Sequence, residues 1–288
     1  MLKKIIADAQ FRLGRARRDA GMLRHAARNS PQDVRIAVEL ARLGDASALG
    51  RCLGLVLAGL RDDAKIGSMP REHLAFLEHA SRLLPSSHGQ FLQDIAALAL
   101  TGRGRDGFFV EVGTADGTTH SNTLMLERDF GWRGILVEPD RRFHESFRRT
   151  RTATLVTAPA FSRDGERLEF LESSRAGALS TLRGFRGADG RHRRGEVRVL
   201  ATQTLDTILD SNGAPTQIDF MSIDTEGSEL EVLKGLDLRR WDVRFLAIEH
   251  NWAPGHRDAI AAHLAPFGFT PVLDAFSAMD IWLLRDGA

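Results

Sequence analysis

Of the 288 residues only Cys52 is a cysteine, and tyrosine is absent. A single thiol excludes an internal disulfide and any zinc or iron–sulfur site built on several cysteines. A reducing, cytoplasmic setting is therefore the expectation. The missing phenol removes every tyrosine-based proton donor. No apolar run approaches the ~20 residues that cross a bilayer, and Met1 to Asp8 lacks the apolar core of a signal peptide. Formal net charge is only +1, so no overall field attracts nucleic acid. Basic residues are not interleaved with stacking aromatics either, and no nucleic-acid partner is expected.

What is present is a strand running into a glycine turn. Phe108-Phe109-Val110-Glu111-Val112 leads to Gly113-Thr114-Ala115-Asp116-Gly117, and Gly134-Ile135-Leu136-Val137 then runs into Glu138-Pro139. Gly113 can take positive φ in a tight turn, and Gly117 allows a helix to pack closely. Ligands of open α/β sheets lie beyond such strand ends. The dinucleotide pattern G-x-G-x-x-G fails at Ala115. The Glu111, Gly113 and Gly117 spacing suits S-adenosylmethionine (SAM) better. Glu111 would orient its methionyl part and Glu138 would accept both ribose hydroxyls. Ala160 and Phe161, just past the third strand, are placed at the adenine edge, although a lone aromatic there is more often core.

Around this motif the chain divides into residues 1–88, which read as helices, and 89–288, where strands and helices alternate. In the first part Leu2, Ile5, Ile6, Ala9 and Leu13 form a stripe at helical spacing. Further helices are expected after Ser30-Pro31, from Ala46 to Leu60 and from Met69-Pro70 to Pro85. These helices offer a surface for self-association or for an anionic membrane. A fifth helix runs from Gln90 to Leu100. In the second part strands are expected at 108–112, 134–138, 153–157, 218–223 and 243–249. Additional strands fall near 166–171 and 196–200, and a final pair at 270–273 and 281–284 closes the sheet as an antiparallel hairpin. The fold class is α/β: a Rossmann-like, mostly parallel sheet with an antiparallel C-terminal strand, preceded by a helical region.

Further motifs sharpen this reading. Phe109 to Gly113, Asp116-Gly117, Ser121-Asn122-Thr123, Leu126-Glu127, Trp132 and Val137-Glu138-Pro139 resemble the FkbM-like methyltransferases. So do Thr204-Leu205-Asp206, the block from Ile218 through Asp224-Thr225-Glu226-Gly227-Ser228-Glu229-Leu230 to Gly235, and Ile248-Glu249-His250-Asn251. The resemblance covers roughly two-thirds of the chain, from near Gln90 to about Leu284. It implies a class I, SAM-dependent methyltransferase fold and methyl transfer to a hydroxyl oxygen of a small molecule, sugar or glycan. The cofactor residues it implies are Glu111, Gly113, Thr114, Ala115, Gly117, Glu138, Pro139, Ala160, Phe161 and Asp224.

Two arrangements are open at the reaction centre. Asp224, Glu249, His250 and Asn251, at the ends of neighbouring strands, form a candidate site for Mg²⁺ or Mn²⁺. Alternatively His250 removes the acceptor proton while Asp224 or Glu249 orients its ring. His120, in the first turn of the helix expected over about 118–130, is a weaker candidate. The stretch 173–198 carries many glycines and arginines and reads as a mobile lid whose cations would grip an anionic acceptor. Competing readings are an NAD-dependent oxidoreductase, weakened by Ala115 and the missing tyrosine, and a non-catalytic scaffold retaining a vestigial cofactor domain.

Overall fold

The computed structural model describes Gln10, Ile36, Glu39, Leu40, Leu43 and residues 19–29, 71–173, 180–185 and 194–287. Met1–Ser87 and His88–Ala288 form two compact units. In the first, helix α1 (Ala20–Asn29) buries Leu23, Ala26 and Ala27, which share a face at helical spacing. Asp19 Oδ1 caps it by accepting from the Met22 N–H at 3.1 Å. This helix was not apparent from the sequence. Helix α2 (Arg71–Leu83) starts just after Pro70, and Pro85 lies in the 3₁₀ turn that follows. The stripe residues Leu2, Ile5, Ile6, Ala9 and Leu13, and the helix expected from Ala46 to Leu60, lie outside the described residues. Among the described residues no helix is long and apolar enough to cross a membrane.

The second unit begins with α3 (Gln93–Thr101) and is built on a seven-stranded sheet. Its strands are β1 (Phe108–Val112), β2 (Arg133–Val137), β3 (Thr154–Val156), β7 (Gln217–Ile223), β8 (Asp242–Glu249), β9 (Phe269–Pro271) and β10 (Asp280–Arg285), in the order β3-β2-β1-β7-β8-β10-β9. The first five in that order are parallel, while β10 runs antiparallel to both β8 and β9. Val110, Val112, Ile218, Met221, Ile223, Leu246 and Ile248 are buried in one core. Phe109, Phe220 and Phe245 are fully buried as well. Continuous apolar runs such as Ile218–Ile223 are what a sheet covered on both faces requires.

Between β1 and β7 the winding reverses, so their carboxyl ends open a crevice. Gly113, at φ +83°, makes that junction possible, because a Cβ there would lie 1.6 Å from the Asp224 carbonyl oxygen. Gly117 serves α5 (His144–Thr150) rather than the helix that follows it in sequence: its missing side chain leaves room for the Phe147 ring. Helix α4 (Leu124–Phe130) starts about six residues later than expected. Asp116 Oδ1 accepts from the N–H groups of Thr118 and Thr119, and His120 sits at φ +61°, so residues 116–120 form a turn.

The additional strands expected near 166–171 and 196–200 are present and form a second sheet, which a short strand inside the stretch read as a mobile lid also joins. β4 (Arg167–Ser173) pairs with β5 (Thr181–Leu182) on one side and β6 (Gly195–Ala201) on the other, all antiparallel. Residues 174–179 and 186–193 lie outside the described residues.

Candidate active site

The tips of β1, β2, β7 and β8 converge on a two-part cavity. The narrow part, of about 50 Å³, is lined by Gly113, Ala115, Glu138, Pro139, Ala160 and Asp224, with Ser180, Thr181 and Leu182 across from them. The broad part, of about 280 Å³, is lined by Glu111, Thr114, Asn122, Ser222, Glu249 and Asp280. Gly113, Ala115, Asp224 and Glu226 border both. Several residues around the crevice hold strained left-handed backbone, namely Ala115, His120, Glu226 and Asn251. Such strain tends to collect at functional sites.

Glu138 is buried at the β2 tip. Its Oε2 accepts the Ala115 N–H at 2.8 Å and its Oε1 accepts the Asp140 N–H at 2.7 Å. Burial, reinforced by the nearby Asp140 charge, pushes its carboxyl up to about 8 despite those two donors. Asp140 is itself held below the ordinary range by hydrogen bonds from Arg142 and Ser180, which outweigh its partial burial.

Glu111 points into a different environment. Asn122 N–H donates to it at 2.9 Å, Ser121 Oγ donates at 3.1 Å, and Thr123 Oγ1 makes a very short bond. Arg151, almost fully buried, stands 3.9 Å from Glu111 and 2.8 Å from Glu127. The same guanidinium donates to the Gly117 carbonyl and to Thr123 Oγ1, both at 2.8 Å. One cation thus fastens the glycine turn to the start of α4. Burial still raises the Glu111 carboxyl, with Arg151 opposing it.

At the β7 and β8 tips the carboxylates face one another. Oxygens of Asp224, Glu226 and Glu249 lie within 4.8 Å of each other. Asp224 and Glu249 share a hydrogen bond, and burial plus the neighbouring carboxylates drive both well above the ordinary range. Asn251 Nδ2 donates to Glu226 at 3.3 Å and to Glu249 at 2.5 Å. Asp280, arriving from antiparallel β10, accepts from Gln93 Nε2 at 2.8 Å, and burial raises it to about 6.

The predicted residues therefore separate. Glu111, Gly113, Thr114, Ala115, Glu138, Pro139, Ala160, Asp224 and Glu249 border the crevice. His250 does not: its Nδ1 accepts the Trp252 N–H at 3.2 Å and its ring also bonds the Asp280 backbone. Burial, then the Arg257 charge, lowers its pKa. Neither the proton-acceptor nor the metal-ligand role expected for His250 has support in this geometry. Phe161 packs with Phe170 and Leu182, and edge-on to Phe185 with ring centres 6.2 Å apart, instead of bordering the crevice. Phe170 takes that place. The expected anion-gripping arginines are otherwise engaged: Arg183 pairs with Glu169 at 2.8 Å and Arg198 with Glu172 at 3.1 Å. No arginine or lysine lines either part of the cavity among the described residues. Arg175, Arg186, Arg191 and Arg193 lie outside those residues.

Sequence reading missed Asn122, Ser222, Glu226 and Asp280 as site residues. Glu226 stands in the sequence only as part of the block from Asp224 to Leu230, and a left-handed φ of 60° accompanies its place in the cluster. Asp280 depends on the pairing Asp280 with Glu249, which no local pattern announces.

Could this crevice hold SAM? Thr114 Oγ1 and Asn122 Oδ1 are buried without a hydrogen-bond partner. Together with the carboxylates they ask for a ligand that donates hydrogen bonds and carries positive charge. The amine and sulfonium of SAM meet that demand, and the buried Glu138 carboxyl borders the same crevice. The residues fit.

The strand order and this crevice define a class I methyltransferase-type domain. Residues 111–287 match the Methyltransferase FkbM domain, and the chain belongs to that family. Methyltransferase sdnD of Sordaria araneosa is 41% identical over 63 residues, covering 20% of this chain and 24% of that protein. The match thus spans about a quarter of that relative's length. A crystal structure of a point mutant of MtNAS covers 98% of this chain and 84% of its own at 14% identity, a loose likeness with a TM-score of 0.35.

Proposed function

We propose that this protein transfers a methyl group from SAM to a hydroxyl oxygen of a small molecule or saccharide. The observation that supports this most is the crevice at the reversal of strand order, with Glu138 on one side of Gly113 and Asp224 on the other. SAM supplies a methyl group on positively charged sulfur, so that a C–O bond forms as the C–S bond breaks and the hydroxyl loses its proton. Glu138 holds the ribose hydroxyls, while Ala115 and Asp140 fix its two oxygens from behind. Thr114 accepts from the methionyl amine. The Asp224–Glu249 pair takes the acceptor proton, and its raised basicity suits that task, since a base works best with a pKa near the working pH.

A second reading has a specific observation behind it, the convergence of Asp224, Glu226 and Glu249. Their oxygens would hold Mg²⁺ or Mn²⁺, which would supply Lewis acidity toward the acceptor oxygen. Mn²⁺ titration followed by electron spin resonance separates the two readings: saturable binding lost in Glu226→Gln supports the ion, and none supports the carboxylate base.

Calorimetry with SAM, S-adenosylhomocysteine and NAD tests the main proposal. SAM binding should weaken about 10–100-fold in Glu138→Ala, the scale of one or two hydrogen bonds to a charged group. Tight NAD binding, or unchanged SAM affinity in that variant, refutes it.

A further inference from the structure

The broad part of the cavity presents hydrogen-bond acceptors almost everywhere. Asp224, Glu226, Glu249 and Asp280 border it together with Thr114, Asn122 and Ser222. Among the described residues Asp224, Glu249 and Asp280 form no ion pair, unlike Glu111, whose charge Arg151 answers. The Asn122 side chain is an independent indication. That residue is 8% exposed, its Nδ2 donates to Ser222 Oγ at 2.8 Å, and its Oδ1, which can only accept, has no partner.

Buried carboxylates without counter-charge are costly unless something positive joins them. The cofactor meets part of the demand, but its amine, sulfonium and carboxylate sum to a single positive charge. Even with a proton shared between Asp224 and Glu249, that pair and Asp280 together leave more negative charge than this. The remaining space lies towards Gln93, Met279 and Asp280, away from Glu138. An anionic acceptor would be repelled there by the carboxylates, and among the described residues His120 but no arginine or lysine borders the cavity.

We infer that the acceptor carries a protonated amine beside the hydroxyl that is methylated, as in an amino sugar or amino alcohol, and that Asp280 and Glu226 select it. This rests on the methyltransferase reading above and adds the substrate class. The methylated position stays oxygen: the ammonium has no lone pair to attack with, and it is held by carboxylates while the neighbouring hydroxyl gives its proton to the Asp224–Glu249 pair.

The test is transfer from methyl-labelled SAM into matched alcohols. Each is offered as the free amine, as its N-acetyl derivative and as its phosphate ester, with SAM affinity measured on the same enzyme. The free amines should be labelled at least about tenfold faster than their counterparts, the scale of one charge-assisted hydrogen bond. Asp280→Asn should erase that preference while SAM affinity stays within about twofold, a margin below half a kcal/mol. Faster labelling of the N-acetyl or phosphate forms overturns the inference, and so does a failure to label amines while SAM binds. Saturable Mn²⁺ binding at Glu226 also overturns it, since a metal would then supply the missing charge. If SAM itself does not bind, the methyltransferase reading falls and takes this inference with it.

Discussion

Glu111 on β1 and Glu249 at the end of β8 are both buried, with the half-buried Asp224 of β7 beside the latter, yet their surroundings treat them differently. Glu111 is met by two hydroxyls, a backbone N–H and the Arg151 guanidinium. Asp224 and Glu249 are met mainly by each other and by further carboxylates. A buried charge with a full set of partners builds structure. A buried charge left short of partners is held in place by the rest of the fold and is available to a ligand or a proton.

The contrast can be broken from the structural side first. Arg151→Met should cost about 3–5 kcal/mol of stability in urea denaturation, because it strands Glu111 and Glu127 without their cation. A loss below about 1 kcal/mol, the level of a surface ion pair, would show that the clamp is dispensable. From the other side, Asp224→Asn should lower turnover about 10²–10⁴-fold, the usual contribution of a general base. The same change should leave stability unchanged or raise it, since it removes one of several mutually repelling charges. A marked drop in melting temperature would place Asp224 with Glu111 among the structural acids.

A gentler test uses pH. Glu138 has a folded value of about 8 against the ordinary 4.5, so the folded protein keeps a proton that the unfolded chain releases. Its contribution to stability is therefore complete below pH 4.5 and is lost as pH rises to about 8. Glu138→Gln should flatten the pH dependence of unfolding across that window, and an unchanged slope would show that another group is responsible. The smallest effect is expected for Arg183→Ala. Its pair with Glu169 is about half exposed, so the loss should stay under about 1 kcal/mol, and turnover should not change. A fall in acceptor affinity there would revive the idea of an arginine grip.

Much of this arrangement could be read from the chain. The strands carrying Glu111, Glu138, Asp224 and Glu249 are apolar runs that end in an acid, and such runs must be buried in a parallel sheet. The two glycines marked the turn, although Gly117 makes room for Phe147 of α5 and not for the adjacent helix. What stayed hidden depends on distant pairing or on unusual backbone. Arg151 gave no sign that it reaches across 40 residues to Glu111. His250 looked well placed by its position after β8, but the left-handed turn at Asn251 and Trp252 brings the Trp252 N–H onto its ring nitrogen. The arginine-rich stretch was legible only in part: the alternating run from Glu196 to Leu200 marked the strand whose Val197 and Val199 pair opposite Leu171 and Glu169, but the two-residue β5 is too short to leave a pattern.

The small second sheet is tied to both sides of the crevice. Ser180 Oγ donates to Asp140 at 2.8 Å, beside the β2 tip, and Thr181 Oγ1 donates to the Thr225 and Glu226 carbonyls at 3.1 and 3.3 Å. Anyone hoping to retarget this enzyme by grafting a foreign ribbon in place of 167–201 would be handling a keystone, not an ornament. On the proposed reading, such a chimera would change the grip on SAM along with the specificity unless Asp140, Ser180 and Thr181 are retained as a set.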